Sequence, residues 1–176
     1  MRGVTLPFRK AVYQALQGIE YNGVVINSFE EEAQEMPSKQ ISIIPVGNVD
    51  VKVFIILANQ VSNDNSNKHQ RNDEVSLQIQ VKTEYPSNKG DSEISEKVMN
   101  SVYDRLFDYR GLFKNIELEF PFTLWKLDSI GTRNLNYTDK DCRTWMCALD
   151  ILGHVNQLPL PVNNSGFPYS FDFALA

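Results

Sequence analysis

The sequence predicts an α+β domain: a mostly antiparallel sheet with two amphipathic helices packed on one face, plus an extended C-terminal arm. Three observations lead there. Apolar residues recur at steps of three and four in two separated stretches, they alternate at every second position in several others, and no strand–helix–strand unit repeats. The 176 residues suit one domain, and 42% hydrophobic against 22% charged residues supplies a core that needs neither disulfide nor metal. Residues 1–155 are expected to form that domain and 156–176 the arm.

The first element is a helix from Leu6 to Ile19. Phe8, Ala11, Val12, Ala15, Leu16 and Ile19 make one face, and Arg9, Lys10, Gln14 and Gln17 lie outside it. Pro7 fits the first turn, where its missing N–H is harmless, and Gly18 suits the stop. Val24-Val25-Ile26 reads as a short strand, and the acidic segment Glu30-Glu31-Glu32 through Pro37 as loop. Ile41, Ile43 and Ile44 form a second strand that Pro45 pushes toward an edge or a bulge. From Val49 to Val61, Val51, Val53, Ile55 and Leu57 share one face with Phe54 and Ile56 opposite, so this strand is expected to be covered on both sides.

Ser62 to Asp73 is almost wholly polar and predicts a long hairpin loop. Beyond it Val75, Leu77, Ile79 and Val81 alternate with Ser76, Gln78, Gln80 and Lys82, the pattern of a sheet with one wet face. After a turn from Pro86 to Gly90, Asp91 or Ser92 caps a second helix with Glu93 and Glu96 in its first turn, where the helix dipole favours acids. Ile94, Val98, Val102, Leu106 and Tyr109 form its buried stripe, and Gly111 ends it. Ile116, Leu118, Phe120, Phe122 and Leu124 then read as a long strand, Gly131 to Asp141 as a hairpin loop, and Trp145, Cys147, Leu149 and Ile151 as one face of a last strand ending near Gly153.

The arm has a different character. Leu158-Pro159-Leu160-Pro161 is a stiff extended spacer, and Phe167, Tyr169, Phe171 and Phe173 follow at every second position. Pro159, Pro161 and Pro168 forbid a core helix there. Two readings stay open: the aromatics fold back on their own domain, or they add to a neighbour's sheet edge or groove.

Several chemistries find no support. The net charge of −5 and scattered basic residues disfavour a nucleic-acid grip, although an acidic surface lets DNA pass without sticking. Cys142 and Cys147 fall on opposite faces of a strand and are expected to be reduced packing residues. His69 and His154 have no Cys, Asp or Glu at ligand spacing, so no metal site or cofactor is expected. There is no glycine-flanked nucleophile elbow and no phosphate loop; Val46-Gly47-Asn48 is a simple turn. Glu117 and Glu119 lie on a wet strand face rather than as an acid–base pair. Trp125, Trp145 and Phe122 read as core rather than as a base-stacking platform. No run approaches the ~18–20 apolar residues of a membrane span, so a protein made in a cytosol without membrane contact is expected.

The order of elements carries a resemblance. An amphipathic N-terminal helix leads to Gln40-Ile41-Ser42-Ile43-Ile44-Pro45-Val46-Gly47, then to Val75-Ser76-Leu77-Gln78-Ile79-Gln80-Val81 and Tyr85. A second helix from Ile94 to Phe107 precedes a long strand, a hairpin loop and a closing strand. Over Leu6 to Gly153 this resembles the tail-terminator (tail-completion) proteins of long-tailed bacteriophages and the related head–tail joining proteins of the neck. The resemblance implies a virion protein made in a bacterial host cytoplasm, without catalytic residues. It implies self-assembly into a hexameric or dodecameric ring that caps the tail tube, meets an adjacent neck or portal-side ring, and passes DNA as cargo.

Within that reading, contacts between subunits or with partners are expected at Phe167, Tyr169, Phe171, Phe173, Gln78, Gln80 and Lys82. A docking loop is expected to present Asn63, Asp64, Lys68, His69 and Arg71. The competing readings are a non-viral adaptor that binds a protein partner through its aromatic tail, and a small enzyme or ligand-binding domain whose site is not legible from sequence. A homo-oligomeric mass speaks for the ring. An apolar pocket with convergent polar groups speaks for the enzyme.

Overall fold

The structure, a computed structural model, describes residues 4–29, 41–64, 71–86, 90–138 and 142–158. Helix α1 spans Thr5–Ala15. A small antiparallel hairpin follows, made of β1 (Ile19–Tyr21) and β2 (Val24–Ile26). The main sheet is built from β3 (Ser28–Phe29), β4 (Ser42–Val46), β5 (Val49–Asp64), β6 (Arg71–Tyr85), β7 (Phe122–Thr138) and β8 (Arg143–Gln157), with helix α2 (Glu93–Leu106) between β6 and β7. Its order is β3-β5-β6-β8-β7, and β4 shares the outer side of β5 with β3. Among the described residues only the β3–β5 pair is parallel. The chain is thus mixed α+β.

The register explains the core. Ile55 faces Val81, which faces Cys147; Leu57 faces Ile79, which faces Leu149; and Leu77 faces Ile151. These β-branched and aliphatic residues stand on one side of the sheet, since side chains alternate along a strand. They form one buried cluster with Phe8, Ala11, Val12 and Ala15 of α1 and Ile94, Val98, Val102 and Leu106 of α2. Helix α1 lies against β5 and β6, and α2 against β6 and β8. Gly153 sets how closely α1 seats. A Cβ there would run into the Phe8 ring, so only glycine allows the contact. Full burial of a side chain such as Phe8 contributes roughly 1.5–3 kcal/mol.

Several expectations need correction. Asn63 and Asp64 belong to β5, and Arg71 begins β6, so they pair in the ladder instead of forming a loop: Asn63 with Glu74, Asp64 with Asp73, Arg71 with Gln157. Polar letters do not mark a loop here, because backbone pairing at this end of β5, β6 and β8 needs no apolar side chain. Lys68 and His69 lie outside the described residues. Lys82 is not on a wet face; it is 6% exposed, with Phe54 opposite it on β5 and Met146 on β8. Phe54 and Ile56 make that side of β5 apolar and buried, so a polar residue on β6 does not mark solvent there.

The second half of the chain differs more. Helix α2 ends at Leu106 because Phe107 turns extended (φ −126°, ψ 149°), which leaves Tyr109 exposed outside the buried stripe. The stretch from Ile116 to Pro121 is not strand, and Glu117 and Glu119 are exposed on irregular backbone. Pro121 has no N–H to give to a ladder. Strand β7 begins at Phe122 and runs through Thr138, over most of the expected loop. Strand β8 continues past Gly153 to Gln157 and therefore contains His154. Trp125 is exposed, whereas Phe122 is buried and Trp145 half-buried. Both cysteines are free. Phe167, Tyr169, Phe171 and Phe173 lie outside the described residues.

Candidate functional site

Strand β7 closes one border of the sheet, and among the described residues its neighbour is β8 alone. Its first half is interrupted twice, by register shifts between Leu124 and Lys126 and between Ser129 and Gly131. Such bulges twist an edge away from pairing partners. Its second half is regular, and Gly131–Thr138 pairs residue by residue with Asp150–Arg143. Every residue of that run is exposed. Ile130, Leu135 and Tyr137 are between 48% and 61% exposed. An uninterrupted outer strand with apolar side chains presents N–H and C=O groups ready for another chain.

The neighbouring strands brace this edge. Gln80 Nε2 donates to Gln78 Oε1, Gln78 Nε2 donates to Asp150 Oδ1 at 2.8 Å, and Arg133 Nη2 on β7 donates to Asp150 Oδ2 at 3.0 Å. Gln78 and Gln80 were expected to meet a partner. Within the chain their amides link β6 through β8 to β7. On the helix side Asn134 Nδ2 donates to Glu96 Oε1 of α2 at 3.1 Å. Both sides of the sheet thus hold the outer strand in place.

Near the bulges sits a charged cluster that local spacing did not reveal. His154 Nε2 lies 3.2 Å from Asp128 Oδ2 and Nδ1 lies 3.6 Å from Glu74 Oε1, with the Trp125 ring 5.1 Å away. Lys126 Nζ adds an ion pair to Asp128 at 2.7 Å. The two carboxylates meet opposite nitrogens of the ring, so the three groups do not converge on one point. Among the described residues no set of three or more His, Cys, Asp or Glu is placed to hold a metal ion. Both imidazole nitrogens face acids, so neither is aimed at a hydroxyl or thiol as a general base would be. The arrangement is a clasp across β6, β8 and β7.

Asp128 is held below its ordinary value of 3.8, first by the Lys126 ammonium and then by His154. The Cys147 thiol is pushed up to about 11 by burial, with the Glu96 carboxylate adding to it, so it is not a thiolate nucleophile near neutral pH.

A groove opens where α1 meets the start of β7. Thr5, Leu6, Pro7, Lys10, Glu119, Phe120 and Phe122 line about 400 Å³. Leu6 is 67% and Phe120 60% exposed, and Lys10 Nζ pairs with Glu119 Oε1 at 2.7 Å across one end. That ion pair and Thr5 are the polar residues of this lining. Leu6, Pro7, Phe120 and Phe122 give the groove a mainly apolar lining. No described helix is long and apolar enough to cross a membrane. A scan against protein-family models finds no match to this sequence, and a search of curated proteins finds none.

Proposed function

We propose that this protein is a structural subunit that joins copies of itself through the outer edge of β7, and that the product is a tail-terminator or neck ring of a bacteriophage virion. The observation that carries the first half is the regular, exposed run Gly131–Thr138 at the border of the sheet. Its backbone groups gain partners when a second chain lies against it, and Leu135 and Tyr137 lose water at the same step. If β7 meets a different surface on the next copy, the contact is heterologous and closes into a ring when the rotation allows. The second half rests on the element order set out under Sequence analysis, with six copies as the first expectation and twelve as the other. The net charge of −5 suits a passage for DNA, because a like-charged wall does not retain the polymer.

Light scattering over a range of concentrations, with and without purified tail tubes, tests this reading. A hexameric or dodecameric mass, or rings on tube ends in negative stain, is the expected result. A mass that stops at a dimer means that β7 pairs with the same strand of its twin, and the ring is then wrong. A monomer that also ignores tubes leaves the adaptor that binds through its aromatic tail.

A further inference from the structure

We propose that the groove between α1 and the start of β7 receives the aromatic segment Phe167–Phe173 of a neighbouring copy. The inference rests on the ring reading and adds the joint that locks it. The first observation is where the described chain leaves the fold. The Leu158 N–H donates to the Pro121 carbonyl at 2.8 Å, so the arm sets out from between Phe120 and Phe122, at the rim of the groove. The second is what the groove offers. Leu6, Pro7, Phe120 and Phe122 are apolar, Leu6 and Phe120 are exposed, and about 400 Å³ sits at the small end of ~300–1,000 Å³ ligand pockets. That volume fits aromatic side chains entering one by one and does not fit a folded domain. Four aromatics at every second position put their rings on one side of the segment when it is drawn out, so that they meet an apolar lining together.

Reach decides between the chain's own groove and its neighbour's. The arm opens with Pro159-Leu160-Pro161, a composition that favours ~3.1 Å per residue. The prolines stiffen only its opening, and the nine residues from Leu158 to Phe167, fully drawn out at ~3.3 Å each, reach at most on the order of 30 Å, enough to meet a neighbouring copy. The chain's own groove lies at the root of the arm, so an extended arm overshoots it. The equivalent groove on the next copy around a ring receives it instead. Each copy then gives one arm and accepts one, a head-to-tail exchange that repeats until the ring closes.

Two full-length variants test the exchange: Leu6→Asp, which spoils the groove, and Phe167→Ala with Phe171→Ala, which spoils the arm. Leu6 is exposed, so thermal melting should show the first variant folded like the parent. By light scattering, each variant alone should need at least about tenfold more protein to assemble. An equal mixture should assemble at a lower concentration than either. Alternating copies restore every second joint, since the intact arm of one enters the intact groove of the other. A mixture no better than its components, or two variants that assemble like the parent, overturns the exchange and leaves the β7 joint standing. A parent chain that stays monomeric on its own and with tail tubes overturns both.

Discussion

The two borders of the sheet are built differently. On the β5 side β4 and β3 cover the strand as far as Ile56, and β4 is five residues long and carries Pro45, which has no N–H to offer. Beyond that point α1 takes over. The Arg9 guanidinium donates to the carbonyls of Leu57 and Ala58, the latter at 3.0 Å, and Gln60 Nε2 donates to the Thr5 carbonyl at 2.8 Å. A register shift between Leu57 and Gln60 bends the strand at the same place. On the β7 side bulges and the Lys126–Asp128 pair guard the first half, and Gly131–Thr138 carries neither a bulge nor a covering element among the described residues. Two strands, a helix and a bulge thus cover the outer side of β5 from Val49 to Gln60, and Val61–Asp64 beyond them is exposed. Gly131–Thr138 has no such cover among the described residues, and the proposed joint is placed on that border.

The largest expected effect comes from spoiling the open border. Leu135→Lys with Tyr137→Lys should raise the concentration needed for assembly by about a hundredfold, because two apolar contacts are lost and two charges are buried. Both residues are about half exposed, so folding stability should move by no more than about 0.5 kcal/mol. Assembly that persists in light scattering would mean that the open border is not the joint. The next effect reaches the guarded border through α1. Gly153→Ala drives a methyl into the Phe8 ring and should lower stability by about 1–3 kcal/mol in denaturant titration. An unchanged midpoint would show that α1 does not seat as closely as the contact requires. A smaller change should follow Arg9→Leu, which strips the donors from the Leu57 and Ala58 carbonyls. It should cost about 1–2 kcal/mol and broaden the mass distribution as the bared edge associates without order. A narrow distribution identical to the parent's would mean that this border needs no guard.

The same contrast decides how much was legible beforehand. Helix α1 and strand β6 stand out in the sequence because one side of each faces the core, so burial imprints a period on the letters. The outer half of β7 has no such imprint. Gly131 to Thr138 is exposed on both sides, and only its ladder to β8 makes it a strand. Pairing across a hairpin leaves no local trace in composition. The error ran the other way at Ile116, Leu118 and Phe120, where alternation suggested a strand. Ile116 is buried and Phe120 exposed although they lie an even number of residues apart, which no strand pattern predicts. The sequence neighbours of His154 say nothing of its contacts. Its partners Glu74 and Asp128 come from other strands, and only the register of β6, β8 and β7 brings them to its two nitrogens. The groove at Leu6 and Phe120 is hidden for a related reason: these two lining residues lie more than a hundred positions apart, and only the fold brings them together.

The smallest predicted effect concerns the clasp on the bulged half of β7, where the edge is guarded by charge. Asp128 is held below its ordinary value of 3.8 in the folded protein, chiefly by Lys126 and then by His154. A carboxyl with a depressed value binds fewer protons folded than unfolded, so its contribution is present above the unfolded value and disappears as pH falls through the folded one. The window therefore lies below about pH 4. Asp128 is part-exposed, and solvent screens its pairs, so the change in stability should be slight. Denaturant titrations at pH 7 and pH 3 should show Asp128→Asn weakening the protein at pH 7 and losing less than the parent between the two values. If both proteins lose the same amount on acidification, the clasp does not respond to acid, and the bulges alone keep that half of the border closed.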